Sequence, residues 1–338
     1  MKVSLSYILR AVSGILSDKL RHRKLFILIG YSISNFAKPF FASASTVTDA
    51  LIIRVSDRVG KGIRTAPRDA LISDSASKER QGEAFGLHRT MDQTGAIIGP
   101  LTATAVMVYL GWTVKDVFWL SLLPGSVALI IILFGVKEIV GASHGEYKFL
   151  AGFGDVLQGR YLVLLGLVSV FSLGAFNFSF ILLNACEMGV SDSLIPVIYA
   201  VVNVTHTLIA IPAGRLADKI GKERVLTLGY GAFLGTILLL SSLPCAVYSA
   251  YIIAAAFGIY MGIVETIQRA LIPGYVDSSL KGTAYGVYYL VVGTCFFVAN
   301  TVVGRLWETD GLGASSLYSG VFALIAIIGM ILFNRKTS

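Results

Sequence analysis

Long apolar runs separated by short polar turns dominate the chain. Eleven such runs are close in length to a bilayer-spanning helix, which takes about 20 mostly apolar residues. The runs are continuous rather than alternating, so they exclude the pattern of a β-barrel and indicate helices. The pattern therefore predicts an all-α integral membrane protein. The predicted spans are 3–18, 25–44, 48–70, 83–110, 116–136, 161–184, 193–213, 225–243, 248–272, 283–304 and 315–334.

The composition is that of a protein whose solvent is largely lipid. Hydrophobic residues make up 55% of the 338 residues and charged residues 14%, whereas a soluble domain has roughly 25% charged residues. The mean hydropathy is +0.75. A formal net charge of +8 would suggest nucleic acid as the partner of a soluble protein. In a membrane protein the positions of the charges matter more, so we expect the lipid bilayer and no nucleic acid as partner.

The cations lie in alternate connections between the predicted spans. The intervening connections contain just Lys115 and Arg305. Because cytoplasmic loops carry the excess of Lys and Arg, this asymmetry predicts that the cation-rich connections and the C-terminus are cytoplasmic. It also predicts that residue 1 is outside. The cytoplasmic set includes Lys19, Arg21, Arg23, Lys24, Lys78, Arg80, Lys137, Lys148, Arg160, Lys219, Lys222, Arg224, Lys281, Arg335 and Lys336.

The chain repeats itself at an offset of 200 residues. Without a gap, this offset aligns Gly14 with Gly214, Asp18 with Asp218, and the run 70–72 with 270–272. Such a register indicates two parallel repeats of about six helices. We expect an N-terminal bundle (1–136), a cytoplasmic linker (137–160) and a C-terminal bundle (161–338). The partner of span 161–184 would lie roughly 40 residues before Met1, so we expect eleven helices of a twelve-helix plan.

Two copies of one loop motif carry a resemblance to a known family. GILSDKLRHRK (14–24) and GRLADKIGKERV (214–225) resemble the loop signature G-x-L-a-D-r-x-G-r-k of the major facilitator superfamily. Each copy has a carboxylate at a helix end followed by cations, and such a carboxylate can face the N-terminus of a neighbouring helix. Arg21 stands where the family has glycine. The resemblance implies two pseudo-symmetric six-helix bundles and a conformational role for Gly14, Asp18, Arg21, Lys24, Gly214, Asp218 and Arg224.

Span 48–70 carries several charges at membrane depth. It resembles the fourth-helix motif of the same superfamily, with Arg54 and Gly60 matching and Asp57 and Arg58 replacing the usual Gln and Gly. At about 100° per residue, Arg54, Asp57, Arg58 and Lys61 share one face of the helix. Ionisable residues inside a membrane face a cavity or a partner, so we expect this face to line a substrate or proton pathway.

Span 83–110 resembles the antiporter motif G-x8-G-x3-G-P-x2-G-G of the fifth family helix. Gly86, Gly95, Gly99 and Pro100 match in spacing, whereas Ala103 and Thr104 replace the last two glycines. In the superfamily this motif is associated with proton-coupled exporters, drug/H⁺ antiporters in particular. The alternative is a seam of small residues that lets helices pack closely.

Three further residues are candidates for proton coupling. Arg89 and Asp92 share a face of span 83–110, and Glu265 lies on a polar face in the second repeat. Desolvation and a nearby cation act on the pKa of a carboxyl group in opposite directions, so rearrangement beside an arginine can switch its charge. We expect Asp92 to be the proton-carrying group of the first half; the alternative is a static Arg89–Asp92 pair.

The sequence contains no phosphate-binding loop, no metal-ligand spacing and no nucleophile–base constellation. We therefore expect neither an enzyme nor a cofactor or metal. The resemblance implies a monomeric secondary active transporter in the prokaryotic inner (plasma) membrane, which exports a small molecule by proton-coupled alternating access. An importer of an anionic solute, by symport or uniport, is an alternative. A membrane-embedded enzyme and an inactive truncated transporter are further alternatives.

Overall fold

The computed structural model describes residues 2–139, 154 and 156–335, and α-helices account for most of them. Within these ranges no β-strand occurs. Short 3₁₀ turns, such as Lys38–Ser43 and Ser278–Leu280, connect some of the helices. The helices are α1 (Lys2–Leu20), α2 (Arg23–Ala37), α3 (Val47–Ser75), α4 (Gln81–Leu110), α5 (Val114–Leu120), α6 (Leu122–Gly135), α7 (Gly159–Gly174), α8 (Phe178–Glu187), α9 (Ile195–Ile220), α10 (Lys222–Ser242), α11 (Val247–Leu271) and α12 (Lys281–Arg335).

Every predicted span falls largely on α-helix, although span 25–44 ends in the 3₁₀ turn Lys38–Ser43 and two other spans are interrupted. Span 116–136 is divided into α5 and α6 at Ser121. Pro124 lacks the N–H that would bond to the carbonyl of Leu120, which accounts for the interruption. Span 161–184 is divided into α7 and α8. The side chain of Asn177 caps α8 by accepting a hydrogen bond from Ser179 N (3.0 Å), and Asn300 Oδ1 accepts from Asn177 N (2.9 Å).

Two other predicted spans, 283–304 and 315–334, lie within the single stretch α12. Gly311 divides this stretch, because its φ of +81° is outside the helical range and is one that glycine adopts without steric cost. Most of the predicted linker, residues 140–153 and 155, lies outside the described residues.

Eight stretches of the described chain are long and apolar enough to cross a bilayer. In this assignment α12 is a single stretch, although Gly311 divides it. Helices α1 and α3 are not among the eight, because both carry several charged side chains. The partners of the charged side chains in α1 and α3 are therefore described below.

The residues group into two compact units, and each combines segments from both sequence repeats. The first unit comprises Met1–Ala76, Ile98–Leu162 and Tyr275–Gly293, and the second comprises Ser77–Ile97, Val163–Gly274 and Thr294–Ser338. The start of α12 thus packs with α1–α3, and the start of α4 packs with α9–α11. The division into an N-terminal bundle, linker and C-terminal bundle stays a prediction.

Within the first unit, α3 packs between α1 and α2. A Cβ on Gly60 of α3 would lie 2.6 Å from the carbonyl oxygen of Gly30 in α2, so glycine is required for this close approach. On the α1 side, Ser13 Oγ donates a hydrogen bond to the carbonyl of Gly62 (3.1 Å). Both neighbours therefore contact α3 through small residues.

The core of the second unit is aromatic. Phe171 of α7 and Tyr230 of α10 stack with ring centroids 3.8 Å apart. Phe233 and Tyr260 extend the aromatic core toward α11, with tilted rings whose centroids are 4.7 Å apart. Large buried rings of this kind bring much apolar surface together at the crossing of three helices.

Candidate functional site

Asp18, at the cytoplasmic end predicted for α1, caps the start of α12. Its carboxylate accepts hydrogen bonds from Gly282 N (3.1 Å) and Thr283 N (2.6 Å), and from Thr283 Oγ1 (3.0 Å). The first N–H groups of a helix have no partner within the helix, and they form its positive pole. The Asp18 side chain is fully buried, so these donors replace water around its charge.

Arg23, Asp74 and Lys281 complete this site, which we call the first capping cluster. The guanidinium of Arg23 lies 3.1 Å from Asp18 and also forms an ion pair with Asp74. Lys281 lies 2.8 Å from Asp74. Two carboxylates and two cations thus neutralise one another in a buried position. Sequence reasoning found Asp18 but missed Arg23, Asp74 and Lys281 as its partners.

Asp218 forms an equivalent second capping cluster at the start of α4. Its two carboxylate oxygens accept from Gly82 N and Glu83 N, each at 2.8 Å. Lys222 lies 3.6 Å from the same carboxylate. The repeat offset that aligns Asp18 with Asp218 also aligns Gly82 with Gly282. Each aspartate therefore caps a helix of the other sequence repeat.

At each capping cluster, a pair of glycines allows the two helices to approach closely. A Cβ on Gly282 would lie 2.8 Å from the carbonyl oxygen of Gly14. In the second cluster, a Cβ on Gly82 would lie 3.0 Å from the carbonyl carbon of Gly214. Gly14 and Gly214 of the repeated motif therefore allow the capped helices to approach.

The remaining residues of the loop motif lie around the two turns. Arg21 is exposed and has a φ of +56°, whereas the aligned Gly221 has a φ of +103°. The turn thus requires a left-handed residue, which explains why the family has glycine there. Lys24 Nζ donates to the carbonyl of Leu133 (2.7 Å). Arg224 is exposed at the start of α10.

A polar cluster within the second unit joins α4 to α11. Arg89 of α4 forms an ion pair with Glu265 of α11 and lies 3.1 Å from Asp92, three residues further along its own helix. Arg269 lies 3.8 Å from Glu265. The Asp92 side chain is 52% exposed and the Glu265 side chain 29% exposed. We call these four residues the Arg89 cluster; the sequence predicted three of its members as coupling residues and placed Arg269 on the polar face of Glu265.

His206 of α9 lies beside the Arg89 cluster. Its Nδ1 is 2.7 Å from Nε2 of Gln93 in α4, and the residue is fully buried. Neither residue was a predicted site residue. The sequence did contain a sign of this site, because Arg89, Asp92 and Gln93 lie within about one turn of α4.

The predicted charged face of α3 lies in the first unit. Arg54 is exposed, whereas Asp57, Arg58 and Lys61 are partly buried. The Asp57 carboxylate is 4.0 Å from Nζ of Lys38. The structure therefore brings Arg89, Asp92 and Glu265 together in one unit and places the α3 residues in the other.

Asp69 is a buried carboxylate that was not among the predicted site residues. Its side chain is fully buried beside Arg68, at 3.0 Å, and accepts a hydrogen bond from Tyr289 of α12. The guanidinium of Arg10 lies 4.6 Å from the centroid of the Tyr289 ring. These contacts give the charges of α1 and α3 partners within the first unit.

Of the glycines in the antiporter motif, Gly86 packs closely against a neighbouring helix, whereas Gly95 and Gly99 do not. A Cβ on Gly86 would lie 2.6 Å from the carbonyl oxygen of Ala210 in α9. Around Gly95 and Gly99, no described atom lies within 4 Å of such a Cβ. Pro100 is exposed within α4. Close packing therefore accounts for Gly86 and leaves Gly95 and Gly99 unexplained.

In the described ranges, no group of three or more His, Cys, Asp or Glu residues is arranged to hold a metal ion. The chemistry that the described polar groups offer is ion pairing, helix capping and proton exchange.

Comparison with known proteins identifies the family. A model described as Major Facilitator Superfamily matches residues 4–300. The chain belongs to this superfamily. An uncharacterized MFS-type transporter of Methanocaldococcus jannaschii is 32% identical over 328 residues, which are 95% of this chain and 81% of that relative. The expected all-α membrane fold is thereby confirmed, as is transport rather than catalysis.

Two more distant major facilitator proteins show how far the similarity extends. An agnestins efflux protein of Paecilomyces divaricatus is 24% identical over 333 residues, covering 96% of this chain and 74% of that protein. The crystal structure of the human organic anion transporter MFSD10 superposes with a TM-score of 0.80 at 15% identity, covering 97% of this chain and 82% of that chain. This protein is thus a multi-pass membrane transporter whose partners are the bilayer and a small-molecule substrate.

Proposed function

We propose that this major facilitator protein exports a small molecule in exchange for protons. The observation that carries the proposal is the Arg89 cluster, in which Arg89 of α4 bridges Glu265 of α11 and Asp92 of its own helix. Charges at membrane depth are costly, so a cluster of four that joins two helices indicates function. The agnestins efflux relative and the Gly86–Pro100 motif support export as the direction.

Protonation of Glu265 would weaken an ion pair between two helices, α4 and α11. Protonation removes the charge that holds Arg89 of α4 to Glu265 of α11, whereas the Arg89–Asp92 pair lies within α4 and the Arg269–Glu265 pair within α11. The contact between α4 and α11 weakens as a result. Asp92, the group that the sequence favoured, forms its ion pair with Arg89 within α4, so protonation of Glu265 acts more directly on the contact between α4 and α11. We therefore assign the coupling role to Glu265 and a supporting role to Asp92.

The two capping clusters would control which conformation is occupied. Asp18 and Asp218 each hold the start of a helix by charge and hydrogen bonds. Breaking such a contact costs free energy, so each cluster favours the conformation in which it is formed. We propose that Gly14, Asp18, Lys24, Gly214, Asp218 and Arg224, with Arg21 at the turn, serve this conformational role.

Charge distribution supports an orientation with a cytoplasmic C-terminus in the plasma membrane, where the protein would act as a monomer. Proteoliposomes loaded with pyranine test the coupling. Addition of a transported aromatic compound should move protons in the direction opposite to the compound, and a protonophore should abolish gradient-driven transport. Transport without proton movement would overturn the proposal.

An importer of an anionic solute is the second candidate. The charged face of α3 favours it, as does the fold shared with a protein described as an organic anion transporter. The same pyranine experiment separates the two functions, because a symporter moves protons and solute in one direction.

A further inference from the structure

We infer that the substrate carries an anionic group, which binds to three cations of α3: Arg54, Arg58 and Lys61. We call these residues the α3 stripe. The inference rests on the proposed transport function and names the chemical class of its substrate. Three observations carry it: the position of the stripe along α3, the faces of α3 that its neighbours occupy, and the carboxylates near each cation.

The α3 stripe lies in the middle of α3, the helix that contains the predicted span 48–70. Lys61 is at the midpoint of α3 (Val47–Ser75), and Arg58 and Arg54 follow toward the end capped by Thr46. At about 100° and 1.5 Å per residue, the three side chains fall within an arc of about 60° and a length of about 10 Å. Cations this close together on one helix form a single positive surface of about the size of a small molecule.

Neither α1 nor α2 covers the α3 stripe. Helix α1 contacts α3 at Gly62, and α2 approaches it at Gly60. Viewed down the axis of α3, Gly62 lies about 80° from Arg54 in one direction, and Gly60 lies about 120° from Arg54 in the other. The stripe lies between them, on a face that both neighbours leave open.

The one anion on the same face of α3, Asp57, acts electrostatically on Lys61 but leaves three cations facing a single carboxylate of that face. Arg23, Arg68 and Arg89 each lie beside a carboxylate. Among the described residues, none of the three stripe cations has a carboxylate oxygen within 4.0 Å. The nearby Asp57 is 4.0 Å from Lys38 instead. Cations at membrane depth need a counter-charge or a wet cavity, and an anionic substrate would supply the counter-charge.

The residue types indicate which anions fit. A guanidinium offers a planar pair of N–H donors that matches the oxygens of a carboxylate, sulfonate or phosphate. A lysine adds a compact charge that can approach from another side. Two arginines and a lysine on one face therefore favour a substrate with a planar or tetrahedral oxyanion group and disfavour a cation by like-charge repulsion.

Four naphthalene derivatives that share one ring system test this inference with the full purified chain in detergent. They are naphthoate, naphthalenesulfonate, naphthylmethanol and naphthylmethylammonium. A ligand that binds the folded protein raises its Tm. We expect naphthoate or naphthalenesulfonate to raise the Tm and to bind in a direct titration, and we expect the alcohol and the ammonium compound not to do so.

Variants locate the bound anion. Arg58→Gln and Lys61→Gln should each weaken anion affinity by about tenfold or more, because each removes a charged hydrogen-bond donor. Arg58→Lys keeps the charge and should lose less affinity. Lys115→Gln makes the same charge change at an exposed position outside the stripe and should leave affinity unchanged.

Three outcomes would overturn the inference: tighter binding of the ammonium compound than of the anions, no binding of either anion at millimolar concentration, or unchanged anion affinity in both Gln variants. Because the titration uses no proton gradient, its result does not depend on coupling. Anion binding with transport that moves no protons would overturn the proposed function and leave the inference standing.

Discussion

At the residue scale, the charges of this protein divide into those that the sequence pattern reveals and those that it does not. Asp18 and Asp218 were predictable because a repeated motif marks both. Arg89 and Asp92 were predictable because they are three residues apart on one helix. The pairing of Arg89 with Glu265 was not, because it depends on how α4 packs against α11, far away in the chain.

The two glycines of α4 provide a residue-scale prediction with a matched control. Gly86→Ala should lower stability by about 1–3 kcal/mol, because its Cβ would press on the Ala210 carbonyl. Gly95→Ala should raise it by about 0.5–1 kcal/mol, because the position is open and alanine is the better helix former. Thermal unfolding of the two purified variants measures both shifts. A stabilising Gly86→Ala change would show that the close α4–α9 approach is absent.

At the element scale, apolar runs predicted the helices well, because length and hydropathy decide whether a segment spans the bilayer. The interruptions of these helices were predictable from the sequence in one case and not in the other. The one at Ser121 follows from Pro124 and was available in the sequence. The break before Phe178 depends on Asn300, which lies more than a hundred residues away and bonds to Asn177. Such a break needs the tertiary structure.

The capping clusters make an element-scale prediction about local opening. Asp18→Asn should speed hydrogen exchange at the Gly282 and Thr283 amides by about tenfold, because a neutral acceptor holds these amides less tightly. Asp218→Asn should do the same for the Gly82 and Glu83 amides. Hydrogen–deuterium exchange with mass spectrometry resolves the two segments.

Each of these variants serves as the control of the other, since both make the same chemical change. Asp18→Asn should leave the start of α4 unaffected, and Asp218→Asn should leave the start of α12 unaffected. Equal protection of all four amides in wild type and variants would refute the capping role.

At the scale of the whole molecule, the repeat offset of 200 residues predicted which residues are equivalent but not which ones touch. The structure shows that the contacts are reciprocal: Asp18 caps the helix that begins at Lys281, and Asp218 caps the helix that begins at Gln81. A sequence aligned with itself cannot distinguish this exchange from contacts within each repeat. Both arrangements place the same residues at helix ends.

Orientation is a second property of the whole molecule. In a variant whose three native cysteines are replaced by serine, Lys115→Cys and Asp310→Cys should react with an impermeant maleimide added to intact cells. His22→Cys and Lys222→Cys should react only after permeabilisation, because cation-rich connections are cytoplasmic. External labelling at residue 22 or 222 would reverse the proposed topology.

Flux measurements on Glu265→Gln separate proton coupling at Glu265 from a purely structural ion pair between Glu265 and Arg89. Proteoliposomes are assayed for pH-gradient-driven transport and for substrate exchange without a gradient, with Asp92→Asn and the exposed Glu308→Gln as comparisons. We predict that Glu265→Gln loses gradient-driven transport and keeps exchange, while Glu308→Gln matches wild type. Gradient-driven transport at the wild-type rate in Glu265→Gln would exclude Glu265 as the coupling group.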